Sequence, residues 1–263
     1  MKLTSGIEAF WEAANKNYPD QTKPGGILDQ GMIEAISSAV NADSSDRFAK
    51  PSERGWLSSI HPWSFPIKRS TFPNRSVKIG VLAMTYKGLI NIKTPFDLAL
   101  YARLIWELQP RTIIELGSFQ GGSALWFADH MSMLCESPGQ VHSFDLYTKC
   151  IHEDAKKHPL LKFHQVDLSD IDTFDKELLM RLPHPWLVTD DAHVQVFSIF
   201  SYLSQFLVTG DYYVIEDDPI RADKDVIDGL HLVEQAGFLI DSYYTDAFGM
   251  NLTCAPNAWF RKS

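Results

Sequence analysis

From Thr94 to Asp218 short apolar runs alternate with longer amphipathic ones, and that alternation restricts the fold more than any other feature of the chain. PFDLALYARLIWEL puts Phe96, Leu98, Leu100, Leu104, Ile105 and Leu108 on one broad face, which predicts a helix over 95–108 that Pro110 ends. RTIIELG then predicts a buried strand, GGSALWFADHMSML a helix, QVHSFDL a second strand and LKFHQVDL a third. PWLVTD predicts a fourth strand, DAHVQVFSIFSYLSQFL a helix and DYYVIEDD a fifth strand. Short apolar strands separated by helices imply an α/β fold, a mostly parallel sheet with helices on both faces. The end, FLIDSYYTDAFGMNLTCAPNAWFRKS, predicts two late strands forming a C-terminal antiparallel hairpin on the sheet edge.

The first 75 residues read differently, which divides the chain into an N-terminal extension over 1–75 and a main domain over 76–263. Residues 7–18 and 27–40 predict two short helices, followed by a Ser-, Pro- and aromatic-rich stretch carrying Trp56, Trp63, Phe65 and Phe72. Such a stretch suits a cap over a site or an oligomerisation segment, so a homo-oligomer is expected. The net charge of −9 argues against nucleic acid, because neutralising phosphates needs a basic face. The three cysteines, Cys135, Cys150 and Cys254, form no C-x-x-C pair and fit reduced thiols of a cytoplasmic protein. The first residues lack the basic and apolar regions of a signal peptide, and no apolar stretch approaches the roughly 20 residues of a spanning helix.

The first crossover, TIIELGSFQGGSALWF, places Glu115 and Gly117 at a strand end and Gly121, Gly122 and Ser123 at the opening of a helix. Open α/β sheets bind ligands at such a place. Glycines let a ligand approach the backbone, and the helix N-terminus adds a favourable dipole. The spacing is not the G-x-G-x-x-G dinucleotide fingerprint, and Glu115 would repel a pyrophosphate. Strand two ends at Asp145, suited to ribose hydroxyls, and strand three at Asp167, placed to meet an adenine amino group. Three acids at three successive strand ends fit the cationic S-adenosylmethionine better than NAD.

Asp190 ends strand four, and Glu216 and Asp217 end strand five. Neighbouring strands lie about 4.8 Å apart, so these carboxylates are expected to converge. Unpaired, they would repel; a divalent cation such as Mg²⁺ removes that cost and suits an all-oxygen ligand set. An acidic sheet edge paired with Lys or Arg is the structural alternative, and the nearest basic residues along the chain are Arg221 and Lys224. His193 is expected in the first turn of the next helix, pointing back to the cleft as a general base. Asp191 is expected to face away and cap that helix.

WELQPRTIIELGSFQGGSALWF, LVTDDAHVQVFSIF and GDYYVIEDD, with TYKGL before them, resemble the cephalosporin hydroxylase family over about residues 84–218. That family is a branch of the class I S-adenosylmethionine-dependent methyltransferases, so the resemblance implies their Rossmann-like fold. It implies Mg²⁺ ligation by Asp190, Glu216 and Asp217, with Glu115 and Asp145 on the methyl donor. Related macrolide-sugar O-methyltransferases have a histidine base three residues after the first ligand, which matches His193. The implied reaction is O-methylation of a hydroxylated small molecule: a sugar, polyketide or peptide natural product. Two other readings stand beside it: a non-catalytic partner subunit of a tailoring complex, and an iron-dependent hydroxylase using His152, Asp154 and His193 or His231.

Overall fold

The computed structural model describes residues 16, 47–50, 84–216, 224–249 and 252–263, the side chains of 49, 224–228 and 230 excepted. The chain forms two compact units, 1–48 and 49–263. The helices expected over 7–18 and 27–40 lie outside the described residues apart from the helical Lys16, as do the aromatics at 56, 63, 65 and 72 and the expected boundary at 75.

In the second unit a two-stranded hairpin, β1 (Thr85–Tyr86) and β2 (Leu89–Ile90), precedes helix α1 (Pro95–Leu108). The start of α1 is written locally: the Thr94 hydroxyl oxygen accepts from the Asp97 N–H at 3.1 Å, and Pro95 occupies the first turn, where its missing N–H costs nothing. There follow β3 (Thr112–Leu116), α2 (Gly122–Leu134), β4 (Gln140–Asp145), α3 (Glu153–Lys156) and β5 (Leu161–Gln165). Then come α4 (Lys176–Arg181), β6 (Trp186–Asp190), α5 (Val196–Leu203) and β7 (Tyr212–Ile215). The chain ends with α6 (Lys224–Gln235), β8 (Phe238–Asp241), α7 (Ser242–Asp246) and β9 (Trp259–Lys262).

The longer strands are bonded in the order β8-β9-β7-β6-β3-β4-β5. The five from β5 to β7 are parallel, and β9 is antiparallel to both its neighbours. Every residue of β3, β6 and β7 is buried, as a parallel strand covered on both faces requires. The two late strands pair antiparallel as expected, but β9 lies inside the sheet between β8 and β7, and α7 intervenes, so they are not a tight edge hairpin. Chain order reverses between β3 and β6. The strand ends at that switch point form the crevice where open α/β sheets hold ligands.

The helix expected over 191–207 begins only at Val196. His193 (φ 57°) and Gln195 (φ 47°) take left-handed backbone, which no helix can continue. Residues 191–195 are therefore a loop over the end of β6. Among the described residues no helix is long and apolar enough to cross a membrane.

Candidate active site

A cavity of about 590 Å³ opens over the switch point, within the size range of small-molecule sites. One wall is the corner from β3 to α2. Gly117 (φ +97°) turns the chain there, and a Cβ on it would meet the Asp191 carbonyl oxygen at 2.9 Å. Gly122 opens α2 directly under the Ile90 carbonyl, where a Cβ would come within 2.0 Å of the oxygen. That contact presses the segment Asn91–Lys93 against the helix start and makes it a second wall.

The expected donor-side residues gather here, each in a different state. Gly117, Ser123, Asp145 and Asp167 line the cavity. Asp145 Oδ2 accepts from the Ser118 and Phe119 N–H groups at 2.8 and 2.9 Å, and its Oδ1 from the Tyr147 N–H at 2.9 Å. The carboxylate thus fixes the glycine-rich corner from beneath. Asp167 is half-buried two residues beyond β5, where its Oδ1 accepts from the Ser169 N–H and hydroxyl at 2.9 and 2.6 Å. Those bonds hold its carboxyl below the usual range.

Glu115 is 1% exposed and lies beneath the lining rather than in it. It accepts from the hydroxyls of Ser143 and Ser123. Burial outweighs those bonds and pushes its carboxyl up from 4.5 to about 7. The folded state therefore holds this proton more tightly than the unfolded chain. Its stabilising effect is full below about pH 4.5 and is lost as pH rises to about 7. Glu115→Gln removes that dependence. Denaturant unfolding should show the stability difference between wild type and variant changing by about 3 kcal/mol across this window. Parallel stability curves would place the proton elsewhere.

The acid side departs furthest from expectation. Asp190, 1% exposed, receives the Tyr213 hydroxyl at 3.0 Å and is not in the cavity lining. Glu216 adjoins it in the backbone, its N–H bonding the Asp190 carbonyl at 2.9 Å. Asp217 lies outside the described residues. Asp191 caps no helix: the cap position of α5 is Gln195, and the Asp191 side chain turns into the cavity. Its Oδ1 is 3.4 Å from His193 Nε2 and its Oδ2 is 3.3 Å from Lys93 Nζ. His193 lines the cavity half-exposed, from a loop rather than from a helical turn. A histidine held in left-handed backbone costs about 1–3 kcal/mol, a cost found where a site needs the side chain in one place.

Arg221 and the side chain of Lys224 lie outside the described residues. Among the described residues the counter-charge is Lys93, 3% exposed, whose ammonium donates to Glu216 Oε1 and Oε2 at 2.6 and 2.7 Å. Tyr101 and Thr189 also donate to Glu216 Oε1, at 2.6 and 2.8 Å, and the Cys254 thiol donates to Oε2 at 3.3 Å. Burial opposes both charges of the pair. Their mutual attraction wins, so the lysine is held well above its usual range and Glu216 below its own. Asp191, without so close a partner, is pushed up to about 6 by burial, against the pull of Lys93.

Asp97 assembles this pocket from a distance. Buried at the start of α1, its Oδ1 accepts from the Thr253 hydroxyl at 2.7 Å and the Cys254 N–H at 2.9 Å. It thereby ties residues 253–254 beside Glu216. The Tyr101 ring packs between Phe127 and Trp259, with centroids at 5.1 and 4.7 Å, and that packing aims its hydroxyl at the carboxylate.

Sequence reasoning missed Lys93, Tyr101, Cys254 and Asn91. Asn91 is 2% exposed and lines the cavity, and its Oδ1 has no hydrogen-bond partner in the structure. A buried acceptor left so costs about 1–3 kcal/mol until a ligand N–H meets it. The one signal was the run Leu89-Ile90-Asn91-Ile92-Lys93, in which polar residues stand inside an apolar stretch. The iron-site residues do not assemble. The exposed His152 caps α3, its Nδ1 accepting from the Asp154 N–H at 3.2 Å. Among the described residues no three His, Cys, Asp or Glu side chains stand together in metal-binding geometry.

Comparison with known proteins follows the same lines. A profile of the family described as Rhamnosyl O-methyltransferase/CmcI matches residues 80–263. The rhamnosyl O-methyltransferases of Mycobacterium tuberculosis and Mycobacterium leprae are 32% and 31% identical over 144 residues. Those matches cover 52% of this chain, which spans only 58% and 61% of the length of these curated relatives. The apo structure of CmcI superposes with a TM-score of 0.62 at 29% identity, over 69% of this chain and 76% of that one. A Mg-SAM structure of CmcI gives a TM-score of 0.62 at 25% identity, over 87% of this chain and 95% of that one. The strand order with its inserted antiparallel β9, the glycine-rich corner under the cavity and the profile match over most of the chain agree: this protein belongs to the Rhamnosyl O-methyltransferase/CmcI family.

Proposed function

We propose that the chain is an S-adenosylmethionine- and divalent-metal-dependent O-methyltransferase acting on a hydroxyl of a small molecule, with a sugar as the foremost acceptor class. One observation carries the reading: His193 and its partner Asp191 share a single cavity with the Gly117–Ser123 corner. A proton acceptor therefore stands beside a pocket built for close backbone approach. The relatives named rhamnosyl O-methyltransferase and the Mg-SAM structure of CmcI support both the reaction class and the cofactors.

The residues present fit the methyl donor. The orphaned Asn91 Oδ1 offers an acceptor to the donor's ammonium group, and an acidic cavity tolerates its sulfonium. Asp145 and Asp167 stand at the ends of β4 and β5 for the hydroxyl-bearing and amino-bearing parts, and Gly121 and Gly122 open the helix N-terminus beside them. Bound there, the donor supplies an electrophilic methyl group.

The donor set of the acid side also fits a hard cation. Asp190 and Glu216 are buried carboxylates at adjacent strand ends, and Asp217 follows in sequence as the third proposed ligand. A divalent cation held there would lower the pKa of an acceptor hydroxyl and fix its position. His193 takes the hydroxyl proton on its imidazole, and the Asp191 carboxylate, 3.4 Å from Nε2, stabilises the imidazolium that results. Gly117, the Asn91–Lys93 wall and the loop 191–195 hold donor and acceptor in one enclosure, so orientation supplies much of the remaining acceleration.

The test is direct. Purified protein given S-adenosylmethionine, Mg²⁺ and a panel of rhamnosides and other hydroxylated acceptors should release S-adenosylhomocysteine. Chelation by EDTA should stop the release and added Mg²⁺ restore it. Turnover that survives thorough chelation removes the metal from the reading. Absence of donor consumption with every acceptor removes the transferase.

A further inference from the structure

Glu216 presents about four lone-pair sites, and the protein itself fills them. Lys93 Nζ reaches both oxygens, at 2.6 and 2.7 Å, and Tyr101, Thr189 and Cys254 supply the remaining donors. A divalent cation on this carboxylate would meet the ammonium at contact distance, and two positive charges cannot share that place. Lys93 also lines the cavity, so its ammonium has a polar space to enter on leaving Glu216. The lysine side chain has four rotatable carbons, so the exchange needs only a rotamer change and leaves the Lys93 N–H bond to the Asn91 carbonyl intact.

We infer that Lys93 is a tethered counter-cation, bound to Glu216 while no divalent metal is present and displaced into the cavity when one binds. The inference rests on the metal reading above and adds to it a competitor built into the chain. The exchange has two consequences. The acidic pocket stays neutralised and folded without metal, and metal affinity is set by a difference between two cations rather than by the carboxylates alone. Once displaced, the ammonium lies on the cavity side of Glu216, beside Asp191, which it already approaches at 3.3 Å.

Calorimetric titration of MgCl₂ into the full chain and into Lys93→Met and Lys93→Gln measures the competition. Removing the competitor should tighten Mg²⁺ binding at least about tenfold. Equal or weaker binding by the variants overturns the exchange while leaving the metal site in place. No Mg²⁺ binding by any of the three chains overturns the metal reading and the exchange with it. Lys93→Gln keeps a donor against Glu216 should Lys93→Met fail to fold. The wild-type chain gives an independent readout, because its Lys93 is buried. Labelling of Lys93 by an amine-reactive reagent, read by peptide mass spectrometry, should rise on adding Mg²⁺. Protection unchanged at saturating Mg²⁺ overturns the displacement even if neither variant folds.

Discussion

Gly122→Ala should lower turnover in the proposed transfer about 100-fold and stability by about 1–3 kcal/mol. The cause is local. A Cβ at this position stands 2.0 Å from the Ile90 carbonyl oxygen and 2.8 Å from its carbon, and the obstacle is backbone rather than a side chain that can swing aside. Either α2 shifts or the segment Ile90–Lys93 lifts. Both outcomes disturb the cavity proposed to hold the donor, because Gly122 opens the helix under it and Asn91 and Lys93 form its wall. A displacement near 1 Å is enough to spoil the alignment of reacting groups. Thermal melting and steady-state kinetics on the same preparation separate the two losses. A variant with wild-type turnover would show that the wall yields without consequence and that donor alignment does not depend on it.

His193→Ala should produce the second large loss, about 10²–10⁴-fold in turnover, with donor affinity unchanged. The histidine is held in the loop 191–195 by left-handed backbone, reaches the cavity and keeps Asp191 Oδ1 at 3.4 Å. Its side chain is 45% exposed, so the ring buries little surface in the packing. Loss of the ring is therefore expected to leave the fold intact and to remove the proposed proton acceptor. Calorimetry with S-adenosylmethionine beside a turnover assay is the check. Full turnover would take His193 out of the reaction, and a parallel loss of donor binding would make it part of the pocket instead.

Much of this architecture is legible along the chain. Thr94 and Pro95 write the start of α1, and the apolar runs TIIEL, WLVTD and YYVI announce strands buried on both faces. The corner from β3 to α2 is equally plain, since Gly117 and Gly122 answer to backbone contacts that a Cβ would violate. The loop 191–195 is not legible. Its left-handed turns fall on His193 and Gln195, so no glycine marks the break, and the apolar pattern of α5 runs back through them. The roles of the paired carboxylates are also crossed. Asp190, which reads as facing the cleft, is turned to Tyr213, and Asp191, which reads as a cap, faces the cavity. Adjacent residues at a strand end point to opposite sides, and which side is the cavity depends on how the loop beyond leaves the sheet.

The sequence by itself determined the order of the strands from β3 to β7, the parallel sheet and the position of the glycine-rich corner, because caps, turns and burial periodicity are short-range properties. Only the tertiary structure decided which carboxylates meet the cavity, that Asn91 Oδ1 stands in its wall without a hydrogen-bond partner, and that a lysine neutralises Glu216. Lys93 and Glu216 are separated by 123 residues. Their pairing follows from packing the segment before α1 against Gly122 and from the cost of burying either charge alone, and neither is a property of any stretch of chain read in isolation.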